Sequence, residues 1–217
     1  MTDTDCRKAL TLLIHDLRAP LSVAQGYLRL LKDDRLESAE SRARALEQTM
    51  AALGRIARLC ADGASFAEEA PAPPPGARTI ETRRLLDEVA ERVAAREGPV
   101  LVLDLPDRGA LGEVRGPHAD RLADSIVTVL GAAHRASADA PVHVDTTAGG
   151  REVRFMLGGA DARARLLHAA DPFDAWRGGH GLALPLACRT IEAAGGRIWS
   201  ALDARGAVAI ALPQERS

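Results

Sequence analysis

The chain has 217 residues, of which 47% are apolar and only 3% aromatic. This length suffices for one large domain or two small ones, with a core built mainly from Ala, Leu and Val. The net charge of −2 gives no indication of binding to nucleic acid or to an anionic membrane.

The cysteines and the hydropathy pattern bear on the cell compartment. Cys6, Cys60 and Cys188 are far apart and odd in number, so they form neither a disulfide framework nor a metal-binding spacing. No apolar run approaches membrane-spanning length, and the N-terminal residues lack the apolar core of a signal peptide. We therefore expect a cytoplasmic protein with reduced thiols, no metal site and no membrane anchor.

The first predicted element is a helix from Thr4 or Asp5, either of which can cap it, to about Lys32. Its apolar positions recur every three or four residues, at Leu10, Ile14, Leu17, Leu21, Ala24, Leu28 and Leu31. Inside it lies the segment HDLRAPL, residues 15–21. Pro20 is costly there, because it removes a helical hydrogen bond and leaves the carbonyl of Asp16 without its usual partner. A purely structural helix would rarely combine these residues.

A second helix is predicted from about Glu37 to Phe66, with an apolar seam at Leu46, Met50, Leu53, Ala57 and Cys60. Two long antiparallel helices with narrow seams make only half a core, so two copies are expected to form a four-helix bundle. A plain coiled-coil dimerisation hairpin is the simpler alternative. Residues 70–76 are rich in proline and predict a stiff linker at a domain boundary.

The remaining chain mixes helices and strands. Helices are predicted over residues 79–97, 117–137, 162–169 and 181–194, and strands over 100–105, 113–115, 142–147, 152–157, 197–202 and 208–212. Gly149 and Gly150 predict a hairpin between the third and fourth strands. This order indicates an α+β sandwich, in which helices back a mixed sheet.

Two stretches resemble one family. HDLRAPL is similar to the phosphoacceptor box of the two-component sensor histidine kinases. Near the other end, residues 177–199 are similar to the second glycine box of that family's ATP-binding domain, and Asp171-Pro172-Phe173 resembles its phenylalanine box. The resemblance implies a dimerisation and phosphotransfer hairpin over residues 1–69, a linker over 70–78, and a histidine-kinase-type ATP-binding domain over 79–217.

The same resemblance implies that the second domain is degenerate. The family's asparagine box aligns with residues 116–137, and this places Thr128 and Ala132 where two asparagines hold Mg-ATP. Ala132 has no ligand atom, and no carboxylate precedes Gly158 where an adenine-binding aspartate belongs. No cofactor is therefore expected. If ATP and Mg do bind, the matching residues are Thr128, Arg135, Gly179 and Gly181.

For the first domain, the resemblance assigns His15 as the phosphoacceptor and Asp16 as the residue that orients its ring and accepts its proton. Arg18 is expected either to stabilise the charge of the phosphoryl group or to be a solvated surface residue. The family often has Thr or Asn at position 19, where the side chain positions a water that removes phosphate from the partner. Ala19 cannot hydrogen-bond a water, so little phosphatase activity is expected.

The favoured function is a dimeric phosphorelay protein that exchanges a phosphoryl group between His15 and the aspartates of response-regulator receiver domains, as in the dimeric histidine phosphotransferases that the chain resembles. The first alternative is a soluble histidine kinase that phosphorylates His15 from Mg-ATP. The second is a non-enzymatic module that binds and blocks a kinase or a receiver.

Overall fold

A computed structural model describes residues 3–68, 79–95, 103–104, 111–116, 118–134, 142–146, 151–168, 171–176, 181–201 and 206–215. The chain divides into two compact units. The first comprises Met1–Glu69 with Gly178–Ala183, and the second comprises Ala70–Arg177 with Leu184–Ser217. Among the described helices, none is both long enough and apolar enough to cross a membrane.

The first unit is a hairpin of two helices, α1 (Asp3–Lys32) and α2 (Ala39–Ala67). The second helix begins two residues later than predicted, because the Ser38 hydroxyl caps it by accepting a hydrogen bond from the Ser41 amide at 3.0 Å. Arg42 donates to the Asp34 carboxylate at 2.8 Å and to the Leu36 carbonyl at 3.0 Å. These contacts fix the connection between the helices.

The two helices meet through small side chains. Their buried residues are Ala9, Pro20 and Ala24 on α1, and Ala45, Thr49, Ala52 and Phe66 on α2. A Cβ atom at Gly63 would lie 3.0 Å from a methyl group of Leu13, so the absence of a side chain there lets the helices approach closely. Most large apolar residues of the predicted seams remain exposed within one hairpin: Leu10, Ile14, Leu21, Leu28, Leu46, Met50 and Leu53.

The second unit is α+β, as predicted. Its helices are α3 (Thr82–Ala94), α4 (Ala119–His134), α5 (Ala160–His168) and α6 (Ala183–Ala193). Its described strands are β1 (Thr79–Glu81), β2 (Leu103–Asp104), β3 (Glu113–Arg115), β4 (Val142–Thr146), β5 (Glu152–Leu157), β6 (Asp171–Pro172), β7 (Arg197–Ser200) and β8 (Val208–Glu215).

These strands form one mixed sheet in the order β1-β3-β8-β5-β4-β2, and β7 pairs with both β8 and β6. Only the β2–β4 pair is parallel among the described pairs. The predicted β4–β5 hairpin is confirmed, with Val142 opposite Leu157. The predicted helix start at Thr79 is wrong, because Ile80 pairs with Val114 in a strand before α3 begins. The short strand β6 was not predicted.

Both faces of the sheet carry buried apolar residues, since strand side chains alternate between faces. Along β8, Val208, Ile210 and Leu212 lie in the larger core with α3, α4 and α6. Ala209 and Ala211 lie in a smaller cluster with Met156, Leu166 and Trp199. The Trp199 indole N–H donates a hydrogen bond to the Leu166 carbonyl at 2.7 Å. This bond connects α5 to the second face of the sheet.

Candidate functional site

His15 lies in the middle of α1 with 78% of its side chain exposed. Its Nδ1 atom is 3.0 Å from Oδ1 of Asp16. A carboxylate can only accept a hydrogen bond, so in the neutral ring the proton is on Nδ1, which donates it to Asp16. This tautomer leaves the Nε2 lone pair directed away from the carboxylate. The arrangement leaves an accessible ring nitrogen that can act as a nucleophile.

Asp16 is only 27% exposed at its side chain, although it adjoins His15 in sequence. Consecutive residues on a helix point in different directions, so the carboxylate reaches the imidazole from the side. Pro20, which is buried, stands four residues later and provides no N–H for the Asp16 carbonyl. The acid thus adjoins the imidazole, and the proline lies on the following turn of the helix.

Arg18 and Ala19 are both exposed on the turn that follows His15. In the described part of the chain, no ion pair or hydrogen bond is found for the Arg18 guanidinium. Ala19 presents only a methyl group beside the histidine. The structure therefore places all three predicted catalytic residues on one stretch of α1, with a direct contact between two of them.

The hairpin has two distinct sides. On α1, Leu10, Ile14, Leu21 and Leu28 follow one another at intervals of four or seven residues and form an exposed apolar stripe. At about 100° per residue, His15 lies roughly 120° around the helix from this stripe. The histidine is therefore separate from the apolar stripe.

The residues predicted to match a nucleotide site are only partly described. Thr128 is half-buried on α4, and Ala132, one turn later, is 3% exposed. Gly181 has a φ of +57° just before α6, a conformation that favours glycine. Arg135 and Gly179 lie outside the described residues. On α4, Thr128 thus offers one hydroxyl, and Ala132 offers no ligand oxygen.

The segment after β5 has glycines with no carboxylate ahead of them, as the sequence indicates. Gly158 has a φ of +146°, and Met156 and Leu157 precede it as buried apolar residues. Asp161 lies later, exposed at the start of α5. Within the part of the chain that the structure describes, no group of His, Cys, Asp and Glu side chains is arranged to hold a metal ion.

The helix α2 also carries a row of exposed arginines. Three exposed arginines, Arg44, Arg55 and Arg58, lie on α2 outside its apolar stripe of Leu46, Met50 and Leu53. Their spacing of eleven and three residues places them along one side of the helix.

An exposed histidine on a helical hairpin, followed by an α+β unit with a mixed sheet, defines the two-component histidine kinase and phosphotransferase-like fold. Solved structures support this assignment. Histidine kinase AdeS of Acinetobacter baumannii matches at a TM-score of 0.55 and 15% identity, over 94% of this chain and 98% of that one. Full-length ShkA in complex with AMPPNP matches at 0.54 and 22% identity, over 97% of this chain and 47% of that one.

A bacterial phosphotransferase solved at 1.7 Å also matches, at a TM-score of 0.43 and 15% identity, over 98% of this chain and 97% of that one. No protein-family model matches the sequence, and no curated protein matches it significantly. At these identities the AdeS and ShkA structures establish the fold alone.

Proposed function

We propose that this protein is a cytoplasmic phosphorelay component, in which residues 1–69 carry a phosphoryl group on His15 and exchange it with receiver-domain aspartates. The observation that carries the proposal is the exposed imidazole whose Nδ1 is held 3.0 Å from the Asp16 carboxylate. A histidine in this state is suited to attack phosphorus, because its free Nε2 needs no prior deprotonation.

The proposed transfer needs no reactant besides His15 and the aspartyl phosphate of a receiver. Nε2 of His15 attacks the phosphorus of an aspartyl phosphate, the new N–P bond forms, and the P–O bond to the donor carboxyl breaks with its electron pair on oxygen. The ring gains positive charge in this step, and the Asp16 carboxylate stabilises that charge and can accept the Nδ1 proton. Arg18 lies one turn away, where it can balance phosphoryl charge. Transfer to a second receiver is the reverse reaction.

The first alternative is a histidine kinase that phosphorylates His15 from Mg-ATP. It is favoured by the structural likeness to ShkA, which was solved with AMPPNP. The two α4 residues that align with the family's asparagines fit that ligand poorly, since magnesium beside phosphates takes hard oxygen ligands. Ala132 offers none and Thr128 offers one hydroxyl. We therefore favour the relay and interpret residues 79–217 as a degenerate ATP-binding domain.

Dimerisation is part of the proposal. Seven exposed Leu, Ile and Met side chains on α1 and α2 form an apolar surface of the kind that monomers rarely leave uncovered. A second copy, related by a two-fold axis along the hairpin, would cover this surface and complete a four-helix bundle. The second alternative, a module that only binds and blocks a kinase or receiver, would use the same dimer but would not need the nucleophile.

Phosphate incorporation separates the three functions. Wild type and a His15→Gln variant are incubated with labelled Mg-ATP, and separately with purified receiver domains phosphorylated by labelled acetyl phosphate. The relay predicts label on wild type from at least one receiver, none from ATP, and none on the variant. Label from ATP supports the kinase instead. Tight receiver binding without label supports the binding module and contradicts the relay.

A further inference from the structure

We propose that Gly181 is a positioning residue for the phosphotransfer reaction, because its backbone holds the Asp16 carboxylate in place beside His15. Gly181 belongs to the first compact unit, which joins the hairpin with the segment Gly178–Ala183. The inference rests on the proposed relay function. It gives this glycine, which the family resemblance assigns to a nucleotide site, a role that needs no nucleotide.

The Asp16 carboxylate has a neighbour at each of its two oxygens. Its Oδ1 atom lies 3.0 Å from Nδ1 of His15. Its Oδ2 atom lies against Gly181, where an added Cβ atom would come within 3.0 Å of that oxygen. The same Cβ would lie 3.8 Å from a methyl carbon of Leu59 on α2. The carboxylate is thus held between the imidazole and the glycine backbone.

Two features keep the Gly181 backbone at this place. The next residue, Leu182, is a large apolar side chain that is only 2% exposed, and its burial anchors the segment. Gly181 itself has a φ of +57°, a left-handed conformation that favours glycine. A residue with a Cβ would have to displace either the anchored backbone or the carboxylate. The carboxylate moves more easily, since it is the end of a rotatable side chain.

A displacement of Oδ2 reaches the histidine, because the two oxygens of Asp16 belong to one rigid planar group. When Oδ2 moves, Oδ1 moves with it, and a hydrogen bond weakens once it is stretched or bent away from its optimal geometry. The negative charge then lies away from the ring that becomes positive during attack on phosphorus, and such misplacement slows a reaction. Gly181 therefore acts through Asp16 and is not itself a catalytic residue.

The test measures phosphorylation of His15 in the full chain by phosphoramidate, a small phosphoryl donor. Gly181→Ala and Gly181→Asn both add a Cβ, and asparagine tolerates the left-handed conformation better than alanine. An effect shared by both variants therefore comes from the added Cβ and not from backbone strain. Gly195→Ala is the matched control, since Gly195 has a φ of +75° and belongs to the second unit. Thermal melts check that all variants fold.

Both Gly181 variants should slow phosphorylation by about tenfold, while Gly195→Ala should stay within about twofold of wild type. In an Asp16→Asn background, Gly181→Ala should cause no further loss, because no carboxylate remains to be positioned. A wild-type rate in either Gly181 variant would overturn the proposal. Equal losses with and without the Asp16 carboxylate would overturn it as well, since the glycine would then act by another route.

The ¹⁵N NMR spectrum of the His15 ring gives a second readout, which a purely structural role would not change. In wild type the neutral ring should carry its proton mainly on Nδ1, and in both Gly181 variants the share with the proton on Nε2 should rise. A wild-type ratio in these variants would overturn the positioning role. Failure of every receiver to load wild-type His15 would instead overturn the relay function, and the spectrum would still decide whether Gly181 holds Asp16.

Discussion

Nδ1 of His15 donates to Oδ1 of Asp16 across 3.0 Å, although the two residues are consecutive on α1. In the neutral ring, the contact places the proton on Nδ1 and leaves Nε2 free of the carboxylate. Among the described residues, Asp16 is the only anionic partner of the ring. It lies where positive charge develops during attack on phosphorus. The proposed phosphotransfer depends on this pair of residues.

Replacement of Asp16 by Asn should slow phosphorylation of His15 by about 100-fold, because an amide neither stabilises the imidazolium nor accepts its proton. The rate is measured with phosphoramidate, which avoids effects on docking. A thermal melt checks that the variant folds. A rate equal to that of wild type would show that Asp16 has no role in the chemistry.

Phosphatase activity should be low in wild type and should rise in Ala19→Thr. The threonine hydroxyl can hold a water next to the partner's aspartyl phosphate, whereas the Ala19 methyl cannot. Loss of phosphate from a labelled receiver is followed over time, in a His15→Gln background so that transfer does not contribute. Rapid loss with Ala19 in place would contradict this prediction.

The dimer should depend on the exposed apolar stripe. Leu21→Glu combined with Met50→Glu introduces charges at positions that are 48% and 70% exposed in one hairpin. Light scattering after gel filtration should show a dimer for wild type and a monomer for this variant. Leu167→Glu is the matched control, since Leu167 is an equally exposed apolar residue on α5. A dimer that survives the double substitution would place the interface elsewhere.

The Trp199 indole should stabilise the second unit through its hydrogen bond to the Leu166 carbonyl. Trp199→Phe leaves that buried carbonyl without its partner and should lower the free energy of unfolding by about 1–3 kcal/mol. Arg197 stacks on the same ring at 4.7 Å but is exposed, so Arg197→Ala should cost about 1 kcal/mol or less. Urea unfolding measures both, and equal losses would count against the hydrogen bond.

Burial raises the pKa of Asp62 above its ordinary value, and the nearby Arg58 guanidinium offsets part of that effect. The folded chain therefore binds this proton more tightly than the unfolded chain. The resulting contribution to stability is present at acidic pH and is lost as pH rises through the raised pKa. Asp62→Asn should remove this loss, so its gain in stability over wild type should be larger at neutral pH than at pH 3 in urea titrations. No difference in the pH profile would contradict this.

The order of helices and strands followed from the sequence because periodic apolar residues report burial directly. The hairpin, the mixed sheet and the pairing of β4 with β5 were predicted in this way. The first and last residues of the helices and strands were predicted less accurately. The sequence pattern assigns Thr79–Glu81 to α3, since a three-residue strand is defined by its partner strand, in which Val114 pairs with Ile80, and not by its own pattern. The two-residue strand β6 was missed for the same reason.

The candidate site, too, could be predicted from the sequence only in part. His15 and Asp16 could be predicted because the motif is local, and the structure adds the atoms that meet. The apolar seams were recognised, but the sequence did not show that small residues such as Ala45 and Ala52 would take the interhelical positions and leave the leucines exposed.

The most direct measurement is to map the phosphorylated residue by tandem mass spectrometry, under alkaline conditions that preserve phosphohistidine. The full chain is first incubated with a panel of receiver domains phosphorylated by acetyl phosphate. The proposed relay predicts a phosphoryl group on His15 after incubation with a phosphorylated receiver and none after incubation with Mg-ATP alone. Phosphate on another residue, or on His15 from ATP without any receiver, would contradict it.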